Sequence, residues 1–399
     1  MSPAKESRYP SLDLVECPYP YLSELQQEAP VHRVPETGEY LVLRYDDIHH
    51  VLKNPEIFSN AAARQRQKTP GSRDTSSMIA SDPPSHRDKR NLCSAAFRPR
   101  RLAANEPMIE SLVDGLIDNF VDRSEVEFVS EFATPLPILV FCKIFFGDAK
   151  TDMERFQRWA LREGTGARYL PDERREAAEL MRDEVIEYMD ANILDRHQNP
   201  RDDALSEIIE AQVARDGELD VEYLRSEASL LLSGGFVTTA HLISNAMYLL
   251  LHDAALFERV RANHDLIPAM IEEALRLESP VQWQQRMAVV DTEIGGVPIP
   301  AGSIVVVALA SGNRDPLQYP EPGSADVDRP KVTRHLAFGH GIHFCLGAPL
   351  GRLEARIALE RLFARLAEIR LAPGRNDFTH LDSPLFRGLK ELHLQFRAT

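Results

Sequence analysis

Two short runs near the start of this chain of 399 residues are strand-like, with valine, leucine and tyrosine at their apolar positions. The runs cover residues 31–34 and 40–43, and the turn sequence Glu36-Thr37-Gly38 lies between them. Strand-like runs on both sides of a glycine-containing turn predict a β-hairpin. A helix is predicted from about Asp46, and Asn54-Pro55 would end it because the residue before proline avoids helical dihedral angles.

Apolar residues recur mostly at three- and four-residue intervals from about residue 103 to 278, which predicts helices. Short strands are predicted again near 292–297 and 303–309, bridged by Pro298 and by Pro300-Ala301-Gly302. A helix then follows over 350–367, and short strands finish the chain. The pattern predicts a mainly α (α+β) fold with small sheets near both ends of the sequence. Because no linker, repeat or low-complexity block interrupts it, we expect residues 1–399 to form a single domain.

Residues 228–252 contain no Asp, Glu, Lys or Arg and are long enough to span a bilayer. The stretch also carries polar groups such as His241 and Asn245, which lipid does not readily accept. A helix buried inside a large protein is therefore the favoured interpretation. The N-terminal residues lack an apolar core, so neither export nor a membrane anchor is expected there.

Charge and cysteine content narrow the class of protein. The chain has 46 basic and 61 acidic residues, a net charge of −15, and no evident basic cluster, so we expect no nucleic-acid partner. The four cysteines stand far apart in no paired pattern, at Cys17, Cys93, Cys142 and Cys345. Reduced thiols in the cytoplasm fit this spacing.

Candidate chemistry is concentrated in residues 338–347, which read FGHGIHFCLG. The glycines suit a loop that turns tightly beside a bulky group. Pro349 is compatible with the first turn of a helix that begins just after the loop. Cys345 would then lie at a helix N-terminus, where we expect a thiolate, a good iron ligand.

Other interpretations of this loop compete. A zinc site could use His340, His343 and Cys345, but the spacing is cramped and no fourth ligand lies nearby. A phosphate-binding loop would need a preceding strand and a Gly-Lys-Ser/Thr ending, and both are missing. A glycine-rich loop with a buried cysteine and no chemical function is the remaining alternative.

The loop matches F-x-x-G-x-[HR]-x-C-x-G at every fixed position and so resembles the haem-binding loop of the cytochrome P-450 family, in particular its soluble bacterial members. The resemblance implies a helix-rich triangular fold, with haem b between the central long helix and the helix after the cysteine loop. It also implies that Cys345 ligates the iron, and that Phe338, Gly339 and Gly347 shape the loop around the haem.

Glu273-Ala274-Leu275-Arg276 resembles the E-x-x-R helix of the same family. Residues three apart share a helix face and can pair, but the same spacing recurs elsewhere, at Glu179/Arg182, Glu222/Arg225 and Glu258/Arg261. Only the following Ser279-Pro280 and the distance to Cys345 single this pair out. The resemblance implies a structural network with Arg329 that supports the haem loop.

The segment from Asp82 to Arg90 resembles the family's D-P-P-x-H-x-x-x-R motif. His86 and Arg90 are four residues apart, so on a helix they could hold one anionic group, although a solvated basic turn has the same composition. The resemblance implies that both contact the haem propionates together with Arg286 and His343. Charge-assisted hydrogen bonds to a carboxylate suit all four side chains.

The uncharged stretch contains Leu231, Gly234, Gly235 and Thr238 at spacings that share one helix face. The glycines would leave room for a ligand near the backbone, or would let another helix pack closely. The family's pattern is [AG]-G-x-[DE]-T, and here Val237 occupies the acidic position. The resemblance implies that the acid helps to deliver protons to dioxygen, so Val237 interrupts the usual relay while Thr238 remains.

Substrate contacts follow only by region, and the resemblance places them near residues 61–80, 229–238, 281–287 and 383–387. Ordinary packing is the alternative for every side chain in these segments. The candidates are Phe236, Gln282, Trp283, Gln285, Leu385 and Phe386.

The sequence therefore predicts a haem-thiolate monooxygenase that inserts one oxygen atom from O2 into a small organic substrate. The resemblance implies two electrons from a ferredoxin and a ferredoxin reductase, and the haem carries the chemistry. One alternative is a peroxide-using or otherwise atypical haem-thiolate enzyme, suggested by Val237. A haem-based binding or sensing protein without turnover is another. We expect a cytoplasmic protein with no membrane partner.

Overall fold

The computed structural model describes residues 14–66, 77–147, 153–164 and 172–399. Helix is the main element, at 58%. The α-helices are α1 (Tyr19–Glu28), α2 (Tyr45–Lys53), α3 (Asn60–Arg66), α4 (Ser85–Ser94), α5 (Pro99–Asp118), α6 (Pro135–Phe146), α7 (Met153–Gly164), α8 (Asp172–Gln198), α9 (Ala204–Asp216), α10 (Val221–His252), α11 (Ala254–Ala262), α12 (Ile267–Leu277), α13 (Leu309–Gly312) and α14 (Ala348–Arg365).

The strands are short and lie mostly at the two ends of the sequence, as the pattern predicts. They are β1 (Val31–Arg33), β2 (Tyr40–Val42), β3 (Phe58–Ser59), β4 (Glu125–Glu127), β5 (Trp283–Ala288), β6 (Thr292–Ile294), β7 (Val297–Ile299), β8 (Ile304–Ala308), β9 (Leu366–Leu371) and β10 (His393–Ala398). Together with the helices they give a mainly α fold with small sheets, which confirms the predicted class.

The long helix α10 passes through the centre of the helical part and packs against α6, α8, α12 and α14. It begins where the Asp220 carboxylate accepts a hydrogen bond from the Tyr223 N–H at 2.9 Å, a normal N-cap. By length and composition, Val221–His252 and Val129–Phe146 could each span a membrane, and 72% and 67% of these stretches are buried in the protein. Helix formation over the uncharged stretch is confirmed.

A five-stranded sheet joins residues from both ends of the chain, in the order β1-β2-β8-β5-β3. β1 and β2 form the predicted hairpin, with Val31 opposite Val42. β2 is parallel to β8, and β8 is antiparallel to β5. The apolar pattern did not predict β5, because its sequence WQQRMA places polar residues on both faces.

Side chains alternate across this sheet, and both faces are buried. Val42 and Val305 lie on the face that packs against α2. Leu41, Val306 and Trp283 lie on the opposite face, toward α1. The alternation decides which residues of β5 can reach the cysteine loop.

Three predicted boundaries need correction. Residues 366 and 367 begin β9 and do not end α14, since Leu366 leaves the helical dihedral region. Pro298 is part of β7 and does not link two strands. Proline is tolerated in this strand because β7 pairs with β6 alone, so one of its edges has no partner that would need an N–H donor. β4 interrupts the region predicted as helical and pairs with β10.

Candidate active site

The cysteine loop is closed by a backbone hydrogen bond and lies tightly against α2. The Cys345 N–H donates to the Phe338 carbonyl at 2.9 Å. Gly339 and Gly341 both have positive φ, at 70° and 72°. A Cβ at Gly341 would lie 2.4 Å from the Leu52 carbonyl oxygen, so only glycine fits there.

Cys345 is accessible to solvent, yet burial raises the pKa of its thiol above the ordinary value. Both statements hold because the sulfur faces a cavity that protein surrounds. The Gly347 and Ala348 N–H groups donate to the sulfur and, with Arg90 and Arg352, favour the thiolate, but desolvation is the larger effect. The expected stabilisation by the helix N-terminus is therefore present but insufficient, and a cation at the sulfur must complete it.

His86 on α4 and His343 in the cysteine loop face each other, with ring centres 4.3 Å apart. Neither Nε2 atom has a hydrogen-bond partner, although both are buried. Burial and nearby cations lower the pKa of His343 to about 3, and burial lowers the pKa of His86. Two neutral imidazoles with unused ring nitrogens need hydrogen-bonding partners that the described residues do not supply.

Three guanidinium groups surround the same two histidines. The charges of Arg286, Arg90 and Arg64 all act on His343. None of the three pairs with a carboxylate within the described residues. Burial, with repulsion from Arg64, lowers the pKa of Arg286 to about 10. Such a cluster is stable only when an anion occupies the space between its members.

Arg64 is the member of this cluster that the sequence did not reveal. It lies on α3, one turn after Asn60, whose side-chain oxygen is 3.5 Å from Arg286. Arg64 is exposed by accessible area, yet burial lowers its pKa, so it too faces an enclosed cavity. The region 61–80 was predicted to line a substrate pocket, and no local signal separated this arginine from its neighbours.

On α10, Thr238 and Gly234 border open space. A Cβ at Gly234 would meet nothing within 4 Å, and the Thr238 hydroxyl donates to the Gly234 carbonyl at 3.1 Å. Gly235 instead packs on α6, since a Cβ there would lie 3.2 Å from the Phe141 ring. The two glycines thus have different roles, and Gly235 fits the helix-packing alternative. Val237 is 6% exposed and belongs to the apolar core.

Glu273 and Arg276 form the buried network that the resemblance implies. Arg276 donates to both carboxylate oxygens of Glu273, at 2.6 and 2.8 Å. Arg329 donates to the same carboxylate at 3.1 Å. By contrast, Arg225 of a competing E-x-x-R pair bonds Asp190 and not Glu222. Burial, which sequence spacing does not report, distinguishes the functional pair.

The adjacent Glu272 links α12 to the cysteine loop. Arg352 of α14 donates to Glu272 at 2.6 and 2.8 Å and lies over the Phe338 ring, 4.5 Å from its centre. His335 bonds the same carboxylate at 3.2 Å. Glu272 therefore supports the cysteine loop, whereas Glu273 holds the segment that contains Asp326 and Arg329.

Most predicted substrate contacts are packing residues. Phe236 is 1% exposed and packs edge-on against Phe141. Alternation in β5 turns Trp283 and Gln285 toward α1, away from Arg286, and Gln285 bonds Glu39. Gln284, on the Arg286 face, is the β5 glutamine beside the cysteine loop, 3.4 Å from a Cβ at Gly339.

Of the other three predicted substrate contacts, two are packing residues and one lies near α10. Gln282 is 4% exposed and donates to the Ser279 carbonyl at 2.7 Å. Leu385 packs with the core face toward α1. Phe386 approaches His241 of α10, with ring centres 6.5 Å apart. Phe386 is thus the candidate that remains close to the cavity-facing helix.

Two buried acids near the site carry no motif. Glu354 on α14 is 1% exposed, its Oε2 has no partner, and burial raises its pKa well above the ordinary value. Glu227 on α10 accepts from the Met78 N–H at 3.1 Å, its Oε1 has no partner, and burial raises its pKa to about 7. Arg225 and Ser226 precede Glu227, and Arg352 and Arg356 flank Glu354, so neither acid stood out in the sequence.

The zinc alternative receives no support from geometry. His340 stacks on His49, with ring centres 3.9 Å apart, whereas His343 turns toward His86. Within the described ranges, no group of three His, Cys, Asp or Glu side chains is placed to hold a metal ion. The loop instead presents a single accessible sulfur opposite a cationic cluster.

A cavity with one cysteine sulfur, two unpartnered imidazoles and three unpaired guanidiniums suits a flat prosthetic group with two acidic arms. Haem b has this form, with iron to meet a thiolate and two propionates to meet the cations. The site therefore defines a haem protein. The comparisons with known proteins identify which kind.

The family model for cytochrome P-450 matches residues 18–377. The 6-deoxyerythronolide B hydroxylase of Saccharopolyspora erythraea is 35% identical in an alignment that covers 94% of this chain and 95% of the relative. The cytochrome P-450 monooxygenase PikC of Streptomyces venezuelae is 34% identical over 96% of this chain and 92% of its own. The structure of CYP109E1 from Bacillus megaterium in complex with testosterone superimposes with a TM-score of 0.87 at 32% identity, covering 96% of this chain and 99% of that one.

The chain belongs to the cytochrome P-450 family. It is a haem-thiolate monooxygenase with haem b as its cofactor, and it acts on organic substrates with O2 and redox partners. The expectation from the cysteine loop is confirmed at this level.

Proposed function

We propose that Cys345 is the axial ligand of the haem iron in a single haem domain spanning the chain. The accessible sulfur at the end of the cationic cavity carries this proposal. Of the other three cysteines, Cys93 and Cys142 are buried in the core, and Cys17 is exposed near Tyr248 and Arg387. Burial raises the pKa of Cys345, so the bound iron supplies the positive charge that the thiolate needs.

We assign the propionates to His86, His343, Arg90 and Arg286, with Arg64 as an additional cation. The three guanidiniums outnumber the two propionates, so the cluster keeps a positive charge when haem is bound. Each charge-assisted hydrogen bond contributes about 1.5–3 kcal/mol. Glu273, Arg276 and Arg329 act behind this site by fixing the loop.

When bound, haem supplies the activation of O2 and the insertion of one oxygen atom into the substrate. The chain's own contribution at the oxygen side is the Thr238 hydroxyl beside the open space at Gly234. This hydroxyl can hold or pass a proton, whereas the Val237 side chain can do neither. Phe386 offers an apolar wall for a small organic substrate.

Electrons reach the haem from separate proteins, a ferredoxin and a ferredoxin reductase, in a cytoplasmic protein. The family resemblance supports this arrangement, because the chain resembles soluble bacterial members that receive electrons from separate proteins. Peroxide use is a second candidate, because the buried apolar Val237 removes the usual proton donor. Turnover with the ferredoxin chain, compared with turnover with hydrogen peroxide alone, separates the two.

Carbon monoxide binding to the reduced protein tests the axial ligand. The parent and a Cys17→Ala control should show the red-shifted Soret band of thiolate ligation, and Cys345→Ala should lose it. A Cys345→Ala protein that keeps the band would refute the assignment. A compound screen for substrate-induced spin shifts then supplies the substrate for turnover measurements.

A further inference from the structure

His241 is the titratable residue that follows Thr238 by one helical turn on α10. Residues three apart lie about 5–6 Å apart at Cβ on the same helix face. Gly234, which borders open space, precedes Thr238 by one turn on this face. His241 is 6% exposed, and its buried Nδ1 has no hydrogen-bond partner among the described residues. The His241 side chain, with an unused ring nitrogen, therefore leaves α10 on the same face as the Thr238 hydroxyl, one turn further along the helix.

Gly388 fixes the position of this imidazole. A Cβ at Gly388 would lie 2.3 Å from the His241 Cδ2 and 2.7 Å from its Nε2, so no side chain fits there. Burial, with the charge of His380, lowers the pKa of His241 to about 4. A neutral imidazole has one nitrogen that donates and one that accepts, and so it can pass a proton without holding a charge.

A path leads from His241 to solvent through the same segment. The Leu381 N–H donates to the Gly388 carbonyl at 3.0 Å, and His380 lies opposite Leu389 in the adjoining bridge. The His380 Nδ1 bonds the Glu16 carboxylate at 2.9 Å. The Glu16 side chain is 56% exposed. Exposed Glu16, buried His380 and buried His241 therefore follow one another along a path from solvent to α10.

We propose that protons pass from solvent through Glu16 and His380 to His241, which relays them to Thr238. This path replaces the acid that the family pattern has at the position of Val237. This proposal rests on the proposed monooxygenase function. His241 touches neither haem nor iron in this account, because it acts through the Thr238 hydroxyl and ordered water. It is a positioning and relay residue.

The proton balance of the reaction sets what the relay must supply. Insertion of one oxygen atom consumes O2, two electrons and two protons, and yields one water. For each proton, the Thr238 hydroxyl gives one up on the cavity side and regains one from the His241 side. His241 regains its proton from His380, and His380 from Glu16 and solvent. The relay residues return to their starting states, so no other reactant is needed.

The charged groups around this path are few. His380 acts directly on His241. Arg387, Glu278 and Glu16 act on His380, and Arg387 also bonds Glu278. His380 therefore lies between the buried Arg387–Glu278 ion pair and the exposed Glu16 carboxylate.

The test compares His241→Phe with the parent in NADH-driven reduction of O2 through a surrogate ferredoxin and ferredoxin reductase. No organic substrate is required, since O2 consumption and H2O2 release are measured directly in H2O and D2O. We expect the rate to fall roughly tenfold to a hundredfold and the solvent isotope effect to rise, within the range of a general acid–base contribution. His252→Phe, at the exposed end of the same helix, is the matched control and should behave as the parent.

Peroxide-driven oxidation of guaiacol separates a relay role from a structural one, because hydrogen peroxide brings its own protons. The His241→Phe protein should keep this activity to within about twofold while its NADH-driven rate falls. Equal losses in both assays would overturn the proposal. The carbon monoxide spectrum checks the haem site, so failure of the proposed function would already appear in the parent.

Two further variants keep the test decisive if His241→Phe does not bind haem. His380→Gln and Glu16→Gln change the path at a distance from the cavity, and Glu16 lies at the surface. Both should lower the NADH-driven rate and raise its isotope effect. Parent-like rates and isotope effects in both variants would contradict the relay.

Discussion

The rings of His86 and His343 lie 4.3 Å apart, and neither Nε2 is bonded. One ring comes from α4 and the other from the loop before α14, so the two meet only in the folded chain. Both present an unused nitrogen to the cavity that Cys345 faces. The propionates of haem would join these two parts of the protein, and loss of the haem should loosen their contact.

Arg90→Gln should weaken haem retention. The substitution removes one charge-assisted interaction, about 1.5–3 kcal/mol, which corresponds to roughly tenfold to a hundredfold faster haem loss. Transfer of haem to excess apomyoglobin measures this rate. Arg87→Gln, on the exposed side of the same helix, is the matched control, and equal rates for both variants would remove Arg90 from the propionate site.

Glu273→Ala should destabilise the fold. The substitution leaves Arg276 and Arg329 buried without their carboxylate, which costs roughly 3–5 kcal/mol. Urea unfolding and the haem content of the purified protein report the loss. Glu258→Ala removes an exposed acid at the same spacing from an arginine and should change little. A soluble, fully haem-loaded Glu273→Ala protein would contradict the assignment.

Thr238→Ala should reduce coupling between electron consumption and product formation. The variant removes the hydroxyl at the cavity, and the uncoupled electrons should appear as released peroxide. The measurements are product and H2O2 per NADH, and the dissociation constant of a substrate found by spin shift. Unchanged coupling, together with rapid turnover by peroxide alone, would favour the peroxide-using alternative.

Val237→Asp should alter coupling more than substrate affinity, since general acid–base groups are worth roughly 10²–10⁴-fold. Val237 lies in the apolar core, so the new carboxyl would be buried and its pKa raised. We therefore expect lower stability together with the change in coupling. Val237→Asn, which has a similar size and no charge, is the control, and identical coupling in the two variants would exclude an acid effect.

Stability at low pH should depend on Glu272. Burial raises the pKa of this carboxyl, but hydrogen bonds from Arg352 and His335 and their charges outweigh burial and hold the pKa at about 2, below the ordinary 4.5. Because the folded pKa is the lower one, the stabilisation is present above pH 4.5 and is lost as the pH falls toward 2. The shift corresponds to about 3 kcal/mol.

Urea unfolding of Glu272→Gln between pH 3 and pH 7 checks this dependence. The variant should be less stable than the parent at pH 7, and the difference should shrink as the pH falls. Asp328→Asn breaks an exposed pair with Arg259 and should lack this trend, because exposed pairs contribute little. A constant difference across the pH range would show that Glu272 does not titrate in this way.

Local pattern predicted the hairpin of β1 and β2 and the long helix α10, because each depends on spacing within a short window. It missed β5, whose polar residues gave no alternation. The E-x-x-R spacing alone could not select Glu273, since burial of Arg276 comes from distant parts of the chain. Family resemblance supplied that choice.

The cavity itself depended on tertiary contacts. Arg64 of α3 and Arg286 of β5 are distant in sequence, yet the charge of one acts on the other. Gly388 packs against His241, although 147 positions separate them in the sequence. The pKa of the Cys345 thiol could not be predicted either. The sequence pattern indicates the helix N–H groups that lower this pKa, but not the burial that raises it. The directions of Trp283, Gln284 and Gln285 were hidden for the same reason, since a one-residue shift in β5 exchanges the two faces of the sheet.

The parallel pairing of β2 with β8 also has a consequence for synthesis of the chain. About 260 residues separate Val42 from Ile304, so the first strands leave the ribosome long before their partner exists. At about 5–20 residues per second, the wait is roughly 13–50 s. During that time the N-terminal hairpin exposes an apolar edge that chaperones can bind. Ribosome-stalled chains ending before and after residue 308 should differ in protease sensitivity at the hairpin, and equal sensitivity would show that the edge is protected some other way.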